Sequence, residues 1–208
     1  MGTNEDDGVG SQTGGDERPL YLIEGERVGL GPLRRDLLPV LARWNNDFRI
    51  SRTTAGMPPL SLEQVTTLYE RAVADEGTAT FMIYDRASGR PIGTTYLEGI
   101  DLRNRTAEYG IAICEADYRG HGYGTETTRL MLDYAFTARA LHTVLLVVYE
   151  YNRAGQRAYE KAGFRAFGRR RACHWMGGRL WDTIYMECVA SEFTSPVLHK
   201  IFYPDAPA

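Results

Sequence analysis

The sequence predicts an α/β fold, α+β in layout, and three observations carry that prediction. Residues 107–139 read as strand, glycine-rich turn and helix. Ala107 to Cys114 is extended and Arg119-Gly120-His121-Gly122-Tyr123-Gly124-Thr125 follows it. Leu130, Met131, Tyr134, Ala135 and Ala138 then share one face of a 3.6-residue period. Val144-Leu145-Leu146-Val147-Val148 is too continuous for a half-exposed strand and reads as a central strand buried on both faces. Ser88-Gly89 and Gly177-Gly178 each separate two strand-like runs and mark hairpins.

Composition bounds the rest. A chain of 208 residues suits one domain with a tail. Hydrophobic residues are 43% and charged residues 25%, an ordinary globular balance. The net charge of −3 gives no global reason to expect nucleic acid or an anionic membrane as partner. Cys114, Cys173 and Cys188 are far apart, with no C-x-x-C or H-x-x-x-H spacing, so no metal site is expected. Residues 1–18 hold no apolar h-region, and no apolar run approaches the ~18 residues that span a bilayer. A cytoplasmic protein with buried thiols is the expectation.

In chain order, residues 1–18 are rich in Gly, Asp, Glu, Ser and Thr and read as a disordered extension. Tyr21 to Leu30 reads as a first strand. Residues 33–46 read as a helix interrupted or restarted at Pro39, with Trp44-Asn45 near its end. Arg52 to Leu60 holds Gly56, Pro58 and Pro59 and must be a loop. Ser61 opens S-L-E-Q, a reciprocal cap for a helix to about Ala74. Thr80–Tyr84 and Pro91–Gly99 form one hairpin, and Phe164–Trp175 and Leu180–Cys188 the last. Between them lie the strand–turn–helix unit, the strand His142–Tyr149 and a helix 152–162 closed by Gly163. Residues 19–190 make the domain, and 191–208 read as an irregular tail that packs on the body or on a second subunit.

The glycine-rich turn carries the first chemical signal. The opening amides of a helix lack intrahelical partners and bear partial positive charge, so a turn free of side chains there is a phosphate seat. The spacing G-x-G-x-G is neither the dinucleotide fingerprint nor a P-loop, since Gly124 is followed by Thr125 and Glu126. It does fit R-x-x-G-x-G, as Arg119-x-x-Gly122-x-Gly124. A second block runs Asn152-Arg153-Ala154-Gly155-Gln156-Arg157-Ala158-Tyr159-Glu160-Lys161-Ala162-Gly163-Phe164. Together they resemble the pyrophosphate loop and the N-x-x-A-x-x-x-Y-x-K-x-G-F signature of the GNAT family, N-acyltransferases that use acyl-coenzyme A. Ala107-Glu108-Tyr109-Gly110-Ile111-Ala112-Ile113 is similar to a strand of the branch that acetylates ribosomal-protein N-termini. The resemblance covers roughly residues 20 to 190.

That resemblance implies a mixed, mostly antiparallel sheet of about six to seven strands flanked by helices. It also implies that strand 107–114 splays from strand 143–149 after a bulge. The pantetheine arm of acetyl-CoA would pair with the backbone of Ile111, Ala112 and Ile113, and an amide there would face the oxyanion. Arg119, Gly120, His121, Gly122, Tyr123, Gly124 and Thr125 would hold the diphosphate, His121 through its backbone only. Glu126, in the first turn of that helix, reads as structural. Asn152 would bond the pantetheine or sulfur region, and Tyr159, two helical turns on, would be the general acid for the leaving thiolate. Gly155 and Gln156 depart from the family pattern and are expected to loosen the start of their helix.

An alkyl ammonium of pKa ~10.4 costs about 4.6 kcal/mol to deprotonate at pH 7, so a base has work to do. Alternation puts Glu108 on the strand face of Gly110, Ala112 and Cys114, and it is the candidate base, direct or through a water. Trp44, Asn45, Glu108 and Asp182 are candidate acceptor contacts, with core packing for Trp44 and an arginine pair for Asp182 as the plainer readings. The expected activity is acetyl transfer from acetyl-CoA to a primary amine in a ternary complex, on a small molecule or a protein α-amino group. A longer acyl donor, a non-catalytic acyl-CoA binder and a nucleotide-binding regulator stay open, and the expected unit is a monomer or homodimer.

Overall fold

The computed structural model describes residues 18–54 and 59–204. Residues 1–17 of the expected extension, Gly56 and Pro58 of the loop, and residues 205–208 lie outside them. Tyr21 to Leu30 is two strands rather than one. β1 (Ile23–Glu24) and β2 (Val28–Pro32) reverse at Gly25, whose amide donates to the Val28 carbonyl at 2.8 Å. The turn is held from far along the chain, because Glu126 Oε1 accepts the amides of Arg27 at 2.8 Å and Val28 at 3.2 Å. That hairpin raises the strand count to eight.

A single 310 turn, Arg35–Leu37, then leads into α1 (Leu38–Asn45), which restarts the helix with Pro39 in its first turn, where no N–H is needed. α2 (Phe48–Ser51) is capped by Asp47, which accepts the Arg49 amide at 2.8 Å. α3 (Leu62–Ala74) opens on the expected reciprocal cap, Gln64 N to Ser61 Oγ at 3.3 Å and Ser61 N to Gln64 Oε1 at 2.8 Å. β3 (Ala79–Asp85), β4 (Pro91–Asp101) and β5 (Thr106–Ile113) form an antiparallel meander. α4 (Tyr123–Asp133) follows and ends in a π-helical turn, Tyr134–Ala138. β6 (Thr143–Tyr149), α5 (Arg153–Ala162), β7 (Arg165–Met176) and β8 (Arg179–Val189) complete the domain.

The sheet order is β1-β2-β3-β4-β5-β6-β8-β7, with β5 and β6 the parallel pair. One core lies between the sheet and α4 and α5, around Leu30, Ile83, Leu97, Tyr109, Met131, Leu146 and Phe164. The other joins Leu38, Leu41, Trp44 and Val65 to Met82, Tyr84 and Cys114. α1 and α3 cover β3 and its neighbours but not β6, so β6 is buried on one face only and Val147 is 45% exposed. This corrects the expectation of burial on both faces: an apolar run reports hydrophobicity, not which neighbours arrive.

The tail is not irregular throughout. It forms a 310 turn, Ala190–Glu192, and α6 (His199–Phe202), and it packs back on the body. Leu198 is buried, and buried Asp133 accepts the amides of Val197 at 2.9 Å and Leu198 at 2.8 Å.

The feature that positions the site is the parting of β5 from β6. They pair only at Thr106↔Thr143, Ala107↔Val144 and Glu108↔Leu145. Beyond Glu108, β5 stays with β4 as far as Gly93↔Ile113. The associated bulge lies on β4, between Glu98 and Asp101, with Gly99 at φ 58°. An extra residue on one strand increases local twist and swings the far end of the pair away.

Candidate active site

A cavity of about 460 Å³ opens where β5 and β6 part. Ile111, Ala112 and Ile113 form one wall, and Asn152, Ala158 and Tyr159 another. Its end is built from Gly120, Gly122, Gly124 and Thr125. Gly122, at φ 90°, caps α4 with no side chain over the amides, and the first helical bond runs from Glu126 N to Gly122 O at 3.0 Å. The amides of Tyr123, Gly124 and Thr125 therefore have no partner within the helix. Glycine is required there for φ, and a Cβ on residue 122 would also displace the end of the Arg27 side chain, whose Nη2 would lie 2.8 Å away.

The turn is stapled from both sides. Arg119 donates from Nε to Ile113 O and from Nη2 to Cys114 O, each at 2.8 Å. Arg27 Nη1 donates to His121 O at 2.7 Å. The His121 side chain is outside the cavity lining, and the Tyr123 hydroxyl turns away to donate to Asp85 Oδ1 at 2.9 Å. Five cationic residues, Arg49, Arg52, Arg119, Arg157 and Lys161, line the cavity, and no carboxylate does among the described residues. Such a lining suits a polyanion.

Asn152 caps α5, its Oδ1 accepting the Gly155 amide at 3.0 Å. Gly155 does not loosen this turn: a Cβ there would meet Asn152 Nδ2 at 2.7 Å, so its absence makes room for the cap. Gln156 is buried and tightens it, donating to the carbonyls of Tyr149 at 3.1 Å and Glu150 at 2.9 Å. Tyr159 lies edge-on to Tyr109 with centroids 6.2 Å apart, and burial pushes its hydroxyl up to about 12.

A second cavity, of about 190 Å³, lies on the other face of β5 and is lined by Trp44, Asn45, Thr94, Tyr96 and Cys114. Ile50, Ile111 and Ala112 line both cavities, so the two meet across one strand. Trp44 is 5% exposed, and its Nε1 donates to Glu115 Oε1 at 2.8 Å. Arg43 reaches the same carboxylate oxygen, tying α1 to the end of β5. Asn45 Nδ2 donates to Leu41 O at 2.9 Å.

Glu108 is exposed and lines neither cavity; it stands opposite Glu98. Burial and then the Glu108 charge raise the Glu98 pKa. Asp182 is also outside both linings. Its Oδ1 accepts the Ala172 amide at 2.9 Å and its Oδ2 accepts from Arg169 at 2.8 Å, which secures the bulged stretch of β7. The sequence reading missed Tyr96. Alternation along β4 groups it with Thr94 and Glu98, but its place opposite Gly110 depends on the register between two strands.

An acyl thioester of coenzyme A needs a seat for its diphosphate, an extended edge for its pantetheine and a meeting point with an acceptor. The joined cavities offer these in that order, which defines an acyl-CoA-dependent N-acyltransferase. Residues 27–165 match the model of the Acetyltransferase (GNAT) domain, and the chain belongs to the GNAT family. It is 28% identical to the spermidine N(1)-acetyltransferase of Escherichia coli strain K12, over 68% of this chain and 74% of that one. It is 36% identical to the probable N-acetyltransferase YjcK of Bacillus subtilis strain 168, over 73% and 80%. The crystal structure of spermidine N-acetyltransferase from Vibrio cholerae with CoA and spermine superposes with a TM-score of 0.75 at 27% identity, covering 81% of this chain and 98% of that one.

The protein is thus an acetyl-CoA-dependent N-acetyltransferase of this family. Among the described residues no three His, Cys, Asp or Glu group as metal ligands, and no helix is long and apolar enough to cross a membrane.

Proposed function

We propose that this enzyme acetylates a primary amine of a small aliphatic polyamine of the spermidine kind, by direct attack in a ternary complex. The observation that carries this reading is the meeting of the two cavities at Ile111 and Ala112. A donor in the cation-lined cleft and a slender amine in the smaller pocket come together across one strand. One protein similar in sequence and one similar in structure are spermidine acetyltransferases, which supports the acceptor class.

Acetyl-CoA supplies the acetyl group as a thioester. The free amides at the start of α4 hold its diphosphate, with Arg119 fixing the turn. The edge of β5 that has left β6 offers backbone groups to the pantetheine and a donor to the developing oxyanion. Tyr159, kept neutral by burial, protonates the departing thiolate. Glu108 receives the ammonium proton.

The similarity of residues 107–113 to the ribosomal-type strand favours a second reading, in which the acceptor is a protein α-amino group. Incubation with acetyl-CoA and a panel of polyamines, amino sugars and N-terminal peptides, following free thiol, decides between them. Turnover on polyamines is expected. Turnover confined to peptides would replace the first reading by the second.

A further inference from the structure

We propose that Tyr96 is a catalytic residue of this transfer: its hydroxyl takes the proton that the acceptor ammonium must lose and passes its own to Glu108. The step rests on the acetyltransferase reading above.

The geometry follows from register. On one face of the β4–β5 pair, three rungs succeed one another: Thr94↔Ala112, Tyr96↔Gly110 and Glu98↔Glu108. The first rung is in the small pocket, beside the meeting point of the two cavities. The last is an exposed pair of carboxylates outside it. Two residues of antiparallel strand span about 6.8 Å, so Glu108 stands about 14 Å along the strand from Ala112. A glutamate side chain cannot cover that distance. The middle rung lies between the two. Gly110 has no side chain, and the Tyr96 ring lies across the strand in the vacated space, where a Cβ on residue 110 would overlap its Cζ and hydroxyl. Tyr96 also lines the small pocket, whereas Glu108 does not. The glycine in the middle of β5 thus has a purpose that neither turn nor bulge explains.

The surroundings suit a relay. The titratable groups about Tyr96 are Glu98 on its own strand, Glu108 and Tyr109 on β5, Cys114 just past the end of β5, Tyr149 on β6 and Tyr159 on α5. Burial first, then the charges of Glu98, Glu108 and Tyr149, push its phenol above the ordinary tyrosine value, so it stays protonated at working pH. A neutral phenol is a poor base but a competent conductor. The ammonium N–H bond breaks and an O–H bond forms at Tyr96, while the original phenolic proton goes to a Glu108 carboxylate oxygen. Tyr96 is neutral before and after, and the amine is left with a free lone pair.

The test is Tyr96→Phe, which keeps the ring and removes the hydroxyl. Acetylation of spermidine would be followed from pH 7 to pH 10, with CoA affinity measured alongside. At pH 7 a loss of about 100-fold in kcat/KM for the amine is expected, with CoA affinity unchanged. The loss should shrink steadily towards pH 10, because an amine of pKa ~10.4 then arrives increasingly neutral and needs no relay. Gly110→Ala, which displaces the ring, should show the same pH-dependent defect. A loss of equal size at every pH, or no loss, would overturn the role of Tyr96. A wild-type enzyme that binds CoA yet acetylates no amine would instead overturn the acetyltransferase reading, before any variant is compared.

Discussion

Tyr159 shows how one residue acquires a role from its neighbours. The rings of Tyr109 and Phe164 pack about it with centroids 6.2 Å and 6.1 Å away, and desolvation carries its hydroxyl to about 12. An acid at that value would protonate a thiolate of ordinary pKa ~8.5 only at a cost of about 4.8 kcal/mol. A thiol in the same part of the molecule is raised as well: burial takes Cys114 to about 12. Desolvation raises any thiol as it raises a phenol, so the proton transfer becomes easier the more the departing sulfur is shielded from water. Tyr159→Phe is expected to lower kcat about 100-fold, with CoA affinity held within about twofold. Single-turnover rates and CoA titration check this, and an unchanged kcat would remove the acid role. The sequence block around Tyr159 pointed to this residue. Nothing in that block pointed to Tyr96, which matters only because β4 lies beside β5 in one register.

At the scale of elements, caps were legible and long-range supports were not. Ser61 and Gln64 lie three residues apart, and each bonds to the other's backbone, so the start of α3 is written locally. The β1–β2 hairpin was read as one strand because the group that holds its turn, Glu126, is 98 and 99 residues away from its partners. Gly155 and Gln156 looked like weak helix formers. Propensity was overruled by the cap that Gly155 admits and the two carbonyls that Gln156 satisfies. The start of α4 makes the strongest demand. Gly122→Ala would force a Cβ into φ 90° and against Arg27, at a cost of about 1–3 kcal/mol. A lower unfolding midpoint together with weaker CoA binding is expected. A midpoint drop with full CoA affinity would show that the turn does not seat the diphosphate.

At the scale of the whole molecule, the sheet is continuous at one end and open at the other, and Tyr159, packed against Tyr109, stands at the opening. Burial raises the pKa of Tyr109, Tyr151 and Tyr159, the last two to about 12. In the unfolded chain these hydroxyls ionise near pH ~10. Their folded values lie higher, so their contribution to stability is complete below pH ~10 and is lost as pH rises through about 12. Of the 13 tyrosines some are exposed, so alkaline titration should show the last part of the phenolate absorbance rising together with loss of secondary structure. Full phenolate amplitude over an intact fold would contradict the burial of these rings.

The family, the order of strands and helices from β3 to β8, and the loop that ends in α4 were all in the sequence, because each rests on short-range spacing: glycines two apart, a cap and its partner three apart, a hairpin turn between two runs. Which face of β6 stays bare, which strand carries the bulge, and which side chain lies over Gly110, between the pocket and Glu108, were decided only by the tertiary structure. Those facts depend on register and on coverage by helices distant in the chain. A linear pattern of residues contains neither until the strands have paired.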